Sequence, residues 1–301
     1  MLNTLSDLFY RRPKLLTALL LAPPLAWIAL VYIGSLLALL LQSFYHLDDF
    51  SGTVVHEFTL STYAELLSTS NVQIILRTVT MAALVTLAAS IIAFPVAYYA
   101  ARFARGKWKA LFYLAVMMPL WSSYLVKIYA WKLILAKEGI ISWIAGTLHL
   151  GWLLDALLSI PVIGGSSLSF SYIGTFLVFL YIWLPYMILP VQAALERVPN
   201  DYVEAAADLG ATPRQTFRDI ILPLALPGVI AGSIFTFSLT LGDYIVPQIV
   251  GNSRAMIGQA VYTLQGTAGD IPLAAAFTVV PMIIMGIYLI VARRMGAFDA
   301  L

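Results

Sequence analysis

Residues 201–223 read DYVEAAADLGATPRQTFRDIILP and form the longest polar interval between apolar runs on the side richest in Lys and Arg. Residues 201–209 are good helix formers behind an N-terminal acid, which predicts a short helix ending at Gly210. Thr212 then stands as an N-cap with Pro213 in the first turn, which predicts a second short helix to about Asp219. Two capped helices meeting at a glycine, held by apolar runs on either side, predict a stiff projecting elbow. A flexible tether would not need this sequence of caps; the plainer alternative is an ordinary amphipathic surface turn between two spans.

The flanks of that stretch set the class of the protein. Of 301 residues, 61% are hydrophobic and 11% charged, with a mean hydropathy of +0.90. A soluble domain carries about 25% charged residues, so too few are present to cover a water-facing surface. The fold class predicted is all-α, a polytopic membrane protein. Its apolar runs are six: 15–41, 74–101, 110–135, 172–195, 224–250 and 271–292. The first run follows Arg11, Arg12 and Lys14, yet it is too long for a signal-peptide core and shows no small-residue cleavage site. It predicts a retained span bent at Pro23–Pro24. The loop 42–73 holds Asp48, Asp49, Glu57 and Glu65 without any Lys or Arg, and a short surface helix is expected over 59–67. Residues 139–158 are amphipathic enough to lie in the membrane interface.

Basic residues orient the chain. They gather before the first run, between the second and third (Arg102, Arg105, Lys107, Lys109), around the elbow (Arg197, Arg214, Arg218) and after the sixth (Arg293, Arg294). The opposite loops hold only Lys137 and Arg254. Both termini and the elbow are therefore expected in the cytoplasm, with 1–14 and 296–301 as terminal segments around a membrane domain at 15–295. No Gly-rich phosphate loop of the Walker kind occurs, so the chain is not expected to hydrolyse ATP. Cysteine is absent, and His46, His56 and His149 lie far apart, so no disulfide or metal site is expected. The basic inner loops are explained by topology, and no nucleic-acid partner is predicted.

Ionisable groups inside spans are costly and mark candidate sites. Asp243 is the sharpest of them, within the fifth run, with Tyr244 beside it to offer a ring face to an ammonium group. A structural alternative pairs Asp243 with Lys127 or Arg77. In the third run Trp121 and Tyr124 follow Pro119 and are candidates for lining a path, although aromatic rings also fill cores. Trp183, Pro185 and Tyr186 repeat that pairing in the fourth run. Gly228 and Gly232 form a small-xxx-small pair that predicts close helix packing, within the chain or at a subunit interface.

The spacing Glu204-Ala205-Ala206, three residues, Gly210, nine residues, Ile220, one residue, Leu222-Pro223 closely resembles the signature of ABC importer permease subunits. The whole plan resembles the type I, MetI-like class, with a core at about 74–292 and a coupling loop at 200–223. Residues 118–131 and 238–251 resemble the spermidine/putrescine branch. The resemblance implies that Glu204, Ala205, Ala206 and Gly210 dock an ATPase, and that Leu222 and Pro223 join the elbow to the fifth span. It also implies partners: a second homologous permease subunit, two ATPase subunits carrying the ATP and Mg, and a periplasmic solute-binding protein. The bacterial inner membrane and an alternating-access cycle follow, with no cofactor in this chain. Asp243 suggests a cationic cargo such as putrescine or spermidine, while opine, amino-phosphonate and amino-acid-derivative cargoes stay open. An ion-coupled secondary transporter using Asp243 would need a repeat between halves, and none is visible. A membrane enzyme would need a triad, a metal cluster or paired carboxylates, and none is present.

Overall fold

A computed structural model of the protein describes residues 13–48, 50–252 and 254–294. Arg11, Arg12, Asp49 and the 296–301 tail lie outside the described residues. Inside a bilayer every backbone N–H and C=O has to be satisfied within the protein, so apolar runs of this length become helices. Among the described residues five helices are long and apolar enough to cross a membrane: α1 (Leu16–Gln42), α3 (Thr69–Arg102), α8 (Tyr172–Arg197), α10 (Pro213–Gly242) and α13 (Ile271–Arg294). Between α1 and α3 stand a small hairpin of β1 (His46–Leu47) and β2 (Val54–Val55) and the short helix α2 (Ser61–Leu66).

The third apolar run differs from expectation. It forms α4 (Lys107–Trp121) and α5 (Tyr124–Ile134), bent by 97° relative to each other, so it is one broken span or a re-entrant pair. The cause is Ser122 and Ser123, both extended, which interrupt the helix three residues after Pro119. The freed carbonyl of Pro119 accepts a 2.8 Å hydrogen bond from Lys127 Nζ, a cation placed at a helix C-terminus. The amphipathic segment also divides, into α6 (Ile140–Thr147) and α7 (Gly151–Leu158), at His149 with its φ of 57°.

The core is a seam of α3, α8 and α10. Ala89, Ala93 and Ala97 of α3 recur every fourth residue, as do Met187, Val191 and Leu195 of α8, and all six are fully buried. Ile221 and Ala225 of α10 close the same cluster. Small side chains let helices approach where lipid supplies no hydrophobic drive between them. Gly228 and Gly232 serve this within the chain. A Cβ at Gly228 would stand 2.6 Å from the Pro190 carbonyl oxygen, and one at Gly232 2.7 Å from Met187 Sδ. By contrast α1 has no buried residue across its most apolar window and presents apolar side chains on every side.

Two further helices depart from the sequence reading. The fifth span stops at Gly242 rather than running to 250, and α11 (Ile245–Ile249) follows as a separate turn. Its other end begins earlier than expected. The predicted second short helix of the elbow is the first turn of α10 itself, continuous through a π-helical turn at Phe217–Ile221. The remaining elements are α9 (Asn200–Asp208), between α8 and α10, and α12 (Ile257–Thr263).

Candidate functional site

The elbow is built from local signals. Helix α9 ends in paired reverse hydrogen bonds, Gly210 N–H to the Ala207 carbonyl (2.9 Å) and Ala211 N–H to the Ala206 carbonyl (2.9 Å). That arrangement places the residue after the cap in the left-handed region, and Gly210 has φ 81°. Thr212 and Gln215 then cap each other reciprocally: Thr212 N–H donates to Gln215 Oε1 (2.8 Å) and Gln215 N–H donates to Thr212 Oγ1 (3.4 Å). Pro213 occupies the first turn behind the cap. A Cβ at Gly210 would meet nothing within 4 Å, so Gly210→Ala costs only the backbone term, about 1–2 kcal/mol. Amide exchange of residues 206–211 is therefore expected to rise roughly tenfold in that variant, with the spans unaffected. Unchanged exchange would show that the left-handed turn is not what holds the elbow.

The structure distributes the candidate coupling residues clearly. Glu204 and Ala205 are exposed, Ala206 is buried at 7%, and Leu209 stands 89% exposed at the tip. Leu222 and Pro223 lie inside the unbroken α10, so they continue a single helix rather than join two. Asp201, Glu204 and Asp208, spaced three and four apart, put an acidic stripe on one side of α9, while Val203 and Ala206 face inward. Asp208 sits in the last turn, where a carboxylate opposes the helix dipole, so the stripe does not exist to stabilise the helix.

The second site lies where two helix breaks meet. Asp243 follows the end of α10, and its Oδ1 accepts from the N–H groups of Ile245 (2.8 Å) and Val246 (3.0 Å), capping α11. Its Oδ2 accepts from the hydroxyl of Tyr124, the first residue of α5 after the Ser122–Ser123 break. The carboxylate therefore ties the end of one span to the broken third run. Around it the Tyr124 ring stacks on Trp183 at 5.9 Å, and Trp183 meets Tyr186 at 5.8 Å. Tyr244 stacks on Tyr262 of α12 at 5.1 Å, and a Cβ at Gly258 would come within 2.6 Å of the Asp243 carbonyl oxygen. Trp121 is 76% exposed at the break and outside this ring cluster.

The ion-pair alternative for Asp243 does not hold. Lys127 bonds to Pro119, and Arg77 donates to the Ala255 carbonyl (2.8 Å) while lying over the Tyr172 ring at 5.8 Å. Lys132 lies over Phe170 at 5.9 Å. The three cations thus have partners away from the carboxylate. Nothing in the sequence near Asp243 announces Tyr124 as its partner; only the proline and serines before Tyr124 hint at a broken helix. Arg102 and Asn200 are likewise unmarked. Arg102 Nη1 donates to Asn200 Oδ1 (2.6 Å) and its Nη2 to the Val198 carbonyl (3.1 Å), bridging the end of α8 and the start of α9.

The family model described as "Binding-protein-dependent transport system inner membrane component" matches residues 93–297, from mid-α3 through both helix breaks and the elbow. The chain belongs to that permease family. This permease is 57% identical over 300 residues to the inner membrane ABC transporter permease protein YdcU of Escherichia coli K12, covering 100% of this chain and 96% of that one. It is 30% identical over 269 residues to the spermidine/putrescine transport system permease protein PotB of the same strain, covering 89% and 93%. Its fold is similar to a chain in the crystal structure of a bacterial ABC transporter involved in the import of alginate, with a TM-score of 0.69 at 17% identity, covering 97% and 99%. A chain of the inward-facing MetNI methionine transporter superposes with a TM-score of 0.56 at 18% identity, covering 77% and 96%. This permease is thus an integral inner-membrane subunit of an ABC importer with the MetI-like fold.

Proposed function

We propose that this permease forms half of the path by which small cationic solutes of the polyamine class are imported at the expense of ATP. The observation that carries the cargo class is Asp243: a carboxylate with no cationic partner among the described residues, held at the meeting of two helix breaks and flanked by Tyr124, Trp183, Tyr186 and Tyr244. A carboxylate gives an ammonium group a charge-assisted hydrogen bond, and ring faces add cation–π attraction. The similarity to PotB, a spermidine/putrescine transport system permease protein, supports the same class. Trp121, exposed beside the Ser122–Ser123 break, would meet the solute before it reaches this cluster.

The machinery around it follows from the elbow. A capped, stiff projection continuous with a spanning helix transmits a push, and ATPase subunits carrying ATP and Mg would receive it on the exposed side of α9. A second homologous permease completes the path, and a periplasmic binding protein delivers the solute. Both termini and the elbow then lie in the cytoplasm. The chain itself hydrolyses nothing. In the cycle, nucleotide closure moves the elbow, α10 moves with it as one helix, and the cleft opens outward.

The cargo is tested with Asp243→Asn. The amide keeps an oxygen for the Ile245 and Val246 N–H groups, so the cap persists while the charge is lost. Uptake of radiolabelled putrescine and spermidine by the reconstituted complex is expected to fall roughly tenfold, the loss of one charge-assisted contact. Equal uptake by the parent and the Asp243→Asn variant, or a complex that moves neither polyamine but moves a neutral amino-acid derivative, would overturn the cationic reading.

A further inference from the structure

We infer that one stripe of α3, formed by Phe94, Tyr98 and Arg102, is a second seat, beside the continuous α10, through which movement of the elbow enters the membrane. These three residues, with Phe217, are positioning residues for coupling. The inference rests on the reading of the elbow as the ATPase contact. The residues recur every four positions and so lie along one face of the helix, over about 12 Å of its length. Each end of the elbow is fastened to this face. At the entrance to α9, Arg102 holds the Val198 carbonyl and the Asn200 side chain together, spanning the hinge at Pro199. On the far side the Phe217 ring, in the π-helical turn that opens into α10, sits edge-on against Phe94 (5.8 Å) and Tyr98 (5.7 Å).

The chain connects the elbow only to α8 and α10, so contact with a third helix is not a consequence of connectivity. Pro95 lies one residue into the stripe, where its missing N–H removes a helix hydrogen bond and leaves α3 compliant at that level. The Phe94–Arg102 end of α3, whose buried Ala97 packs on α8, therefore moves with the elbow as one body. Glu196 draws in a further element: it accepts from Lys109 (2.8 Å) and Tyr113 (2.9 Å) of α4, so α4 is anchored to the end of α8 and not to the elbow. Helices α3 and α4 are thus attached to neighbouring points of the chain, Val198–Asn200 and Glu196.

The chain has no cysteine, so its only labelling sites are those introduced, and the partner subunits are used with their own cysteines replaced. Spin labels at Tyr99→Cys on α3 and Arg218→Cys beside the elbow, both exposed positions, report the distance between the end of α3 and the elbow in the full complex with its ATPase. In the otherwise unmodified protein this distance is expected to stay constant between the nucleotide-free and ATP-trapped states. Arg102→Met, which keeps the stem and removes the donors, is expected to make it shift with nucleotide and to lower putrescine moved per ATP roughly tenfold. Arg102→Lys recovers part of the loss, and adding Asn200→Ala to Arg102→Met causes no further loss. A distance that stays fixed in Arg102→Met, or losses that add in the double variant, overturns the inference. So does release of the ATPase by Arg102→Met, since the stripe lies behind the elbow. If Arg102→Met fails to accumulate in the membrane, the exposed Asn200→Ala gives the same readout and decides in the same way. A parent complex that retains no ATPase instead removes the elbow reading on which this rests.

Discussion

Glu204→Lys is expected to abolish solute uptake while the permease still inserts and packs. Glu204 is exposed and stands in the middle of the Asp201–Glu204–Asp208 stripe, away from Val203 and Ala206, which face the core. Reversing its charge leaves the Gly210 turn and the Thr212–Gln215 cap untouched, since both form within residues 206–215 from other groups. Lysine and glutamate have similar helix propensity, so α9 itself loses little. What changes is the surface offered to a partner: an acidic stripe acquires a cation at its centre, and like-charge juxtaposition in an interface costs several kcal/mol. Uptake near background, with normal yield of the permease in detergent and loss of the co-purified ATPase, is the expected outcome. Normal uptake by this variant would falsify the assignment of α9 as the coupling helix.

The other large effect is expected at Gly228. A Cβ there would lie 2.5 Å from the Ala194 Cβ and 2.6 Å from the Pro190 carbonyl oxygen. The second of these is backbone, inside a helix, and cannot swing aside. Gly228→Val therefore forces α8 and α10 apart along the seam they share with α3. Overpacking of a buried site costs about 1–3 kcal/mol, and here two rigid backbones meet, so the upper part of that range applies. A many-fold fall in membrane accumulation and thermal stability is expected, measured by quantifying solubilised permease across a temperature series. Gly286→Ala in α13 is the matched control, because a Cβ at that glycine meets nothing within 4 Å. Accumulation of the valine variant at the level of that control would mean that the seam is far more yielding than its geometry.

The elbow is legible almost residue by residue: the end of α9 at Gly210, the cap at Thr212 and Pro213 behind it. Its continuity with the fifth span is not, since nothing local stops the turn at Asp219 and the apolar residues that follow keep the helix running into α10. The third run reads as one span with Pro119 as its weak point. The break falls instead at Ser122–Ser123, where both residues are extended and Lys127 caps the carbonyl that Pro119 leaves behind. Asp243 stands out in the sequence as a costly intramembrane acid, but opposite charge points to the wrong alternative partners, Lys127 and Arg77. Its partner is a neutral hydroxyl 119 residues away.

The primary structure was sufficient for where the apolar helices fall, the side on which basic residues gather, and the capped glycine turn, but not for the break in the third run or the early end of the fifth. The first three depend on bilayer hydropathy and on hydrogen bonds closed within about four residues, so their energetics are written in neighbouring letters. Three-dimensional packing settled which helices touch: Gly228 against Pro190, Tyr124 on Asp243, and the Phe94–Tyr98–Arg102 face beneath the elbow. Such pairings are selected by the summed fit of many side chains across whole helices, and no short stretch of sequence holds that sum.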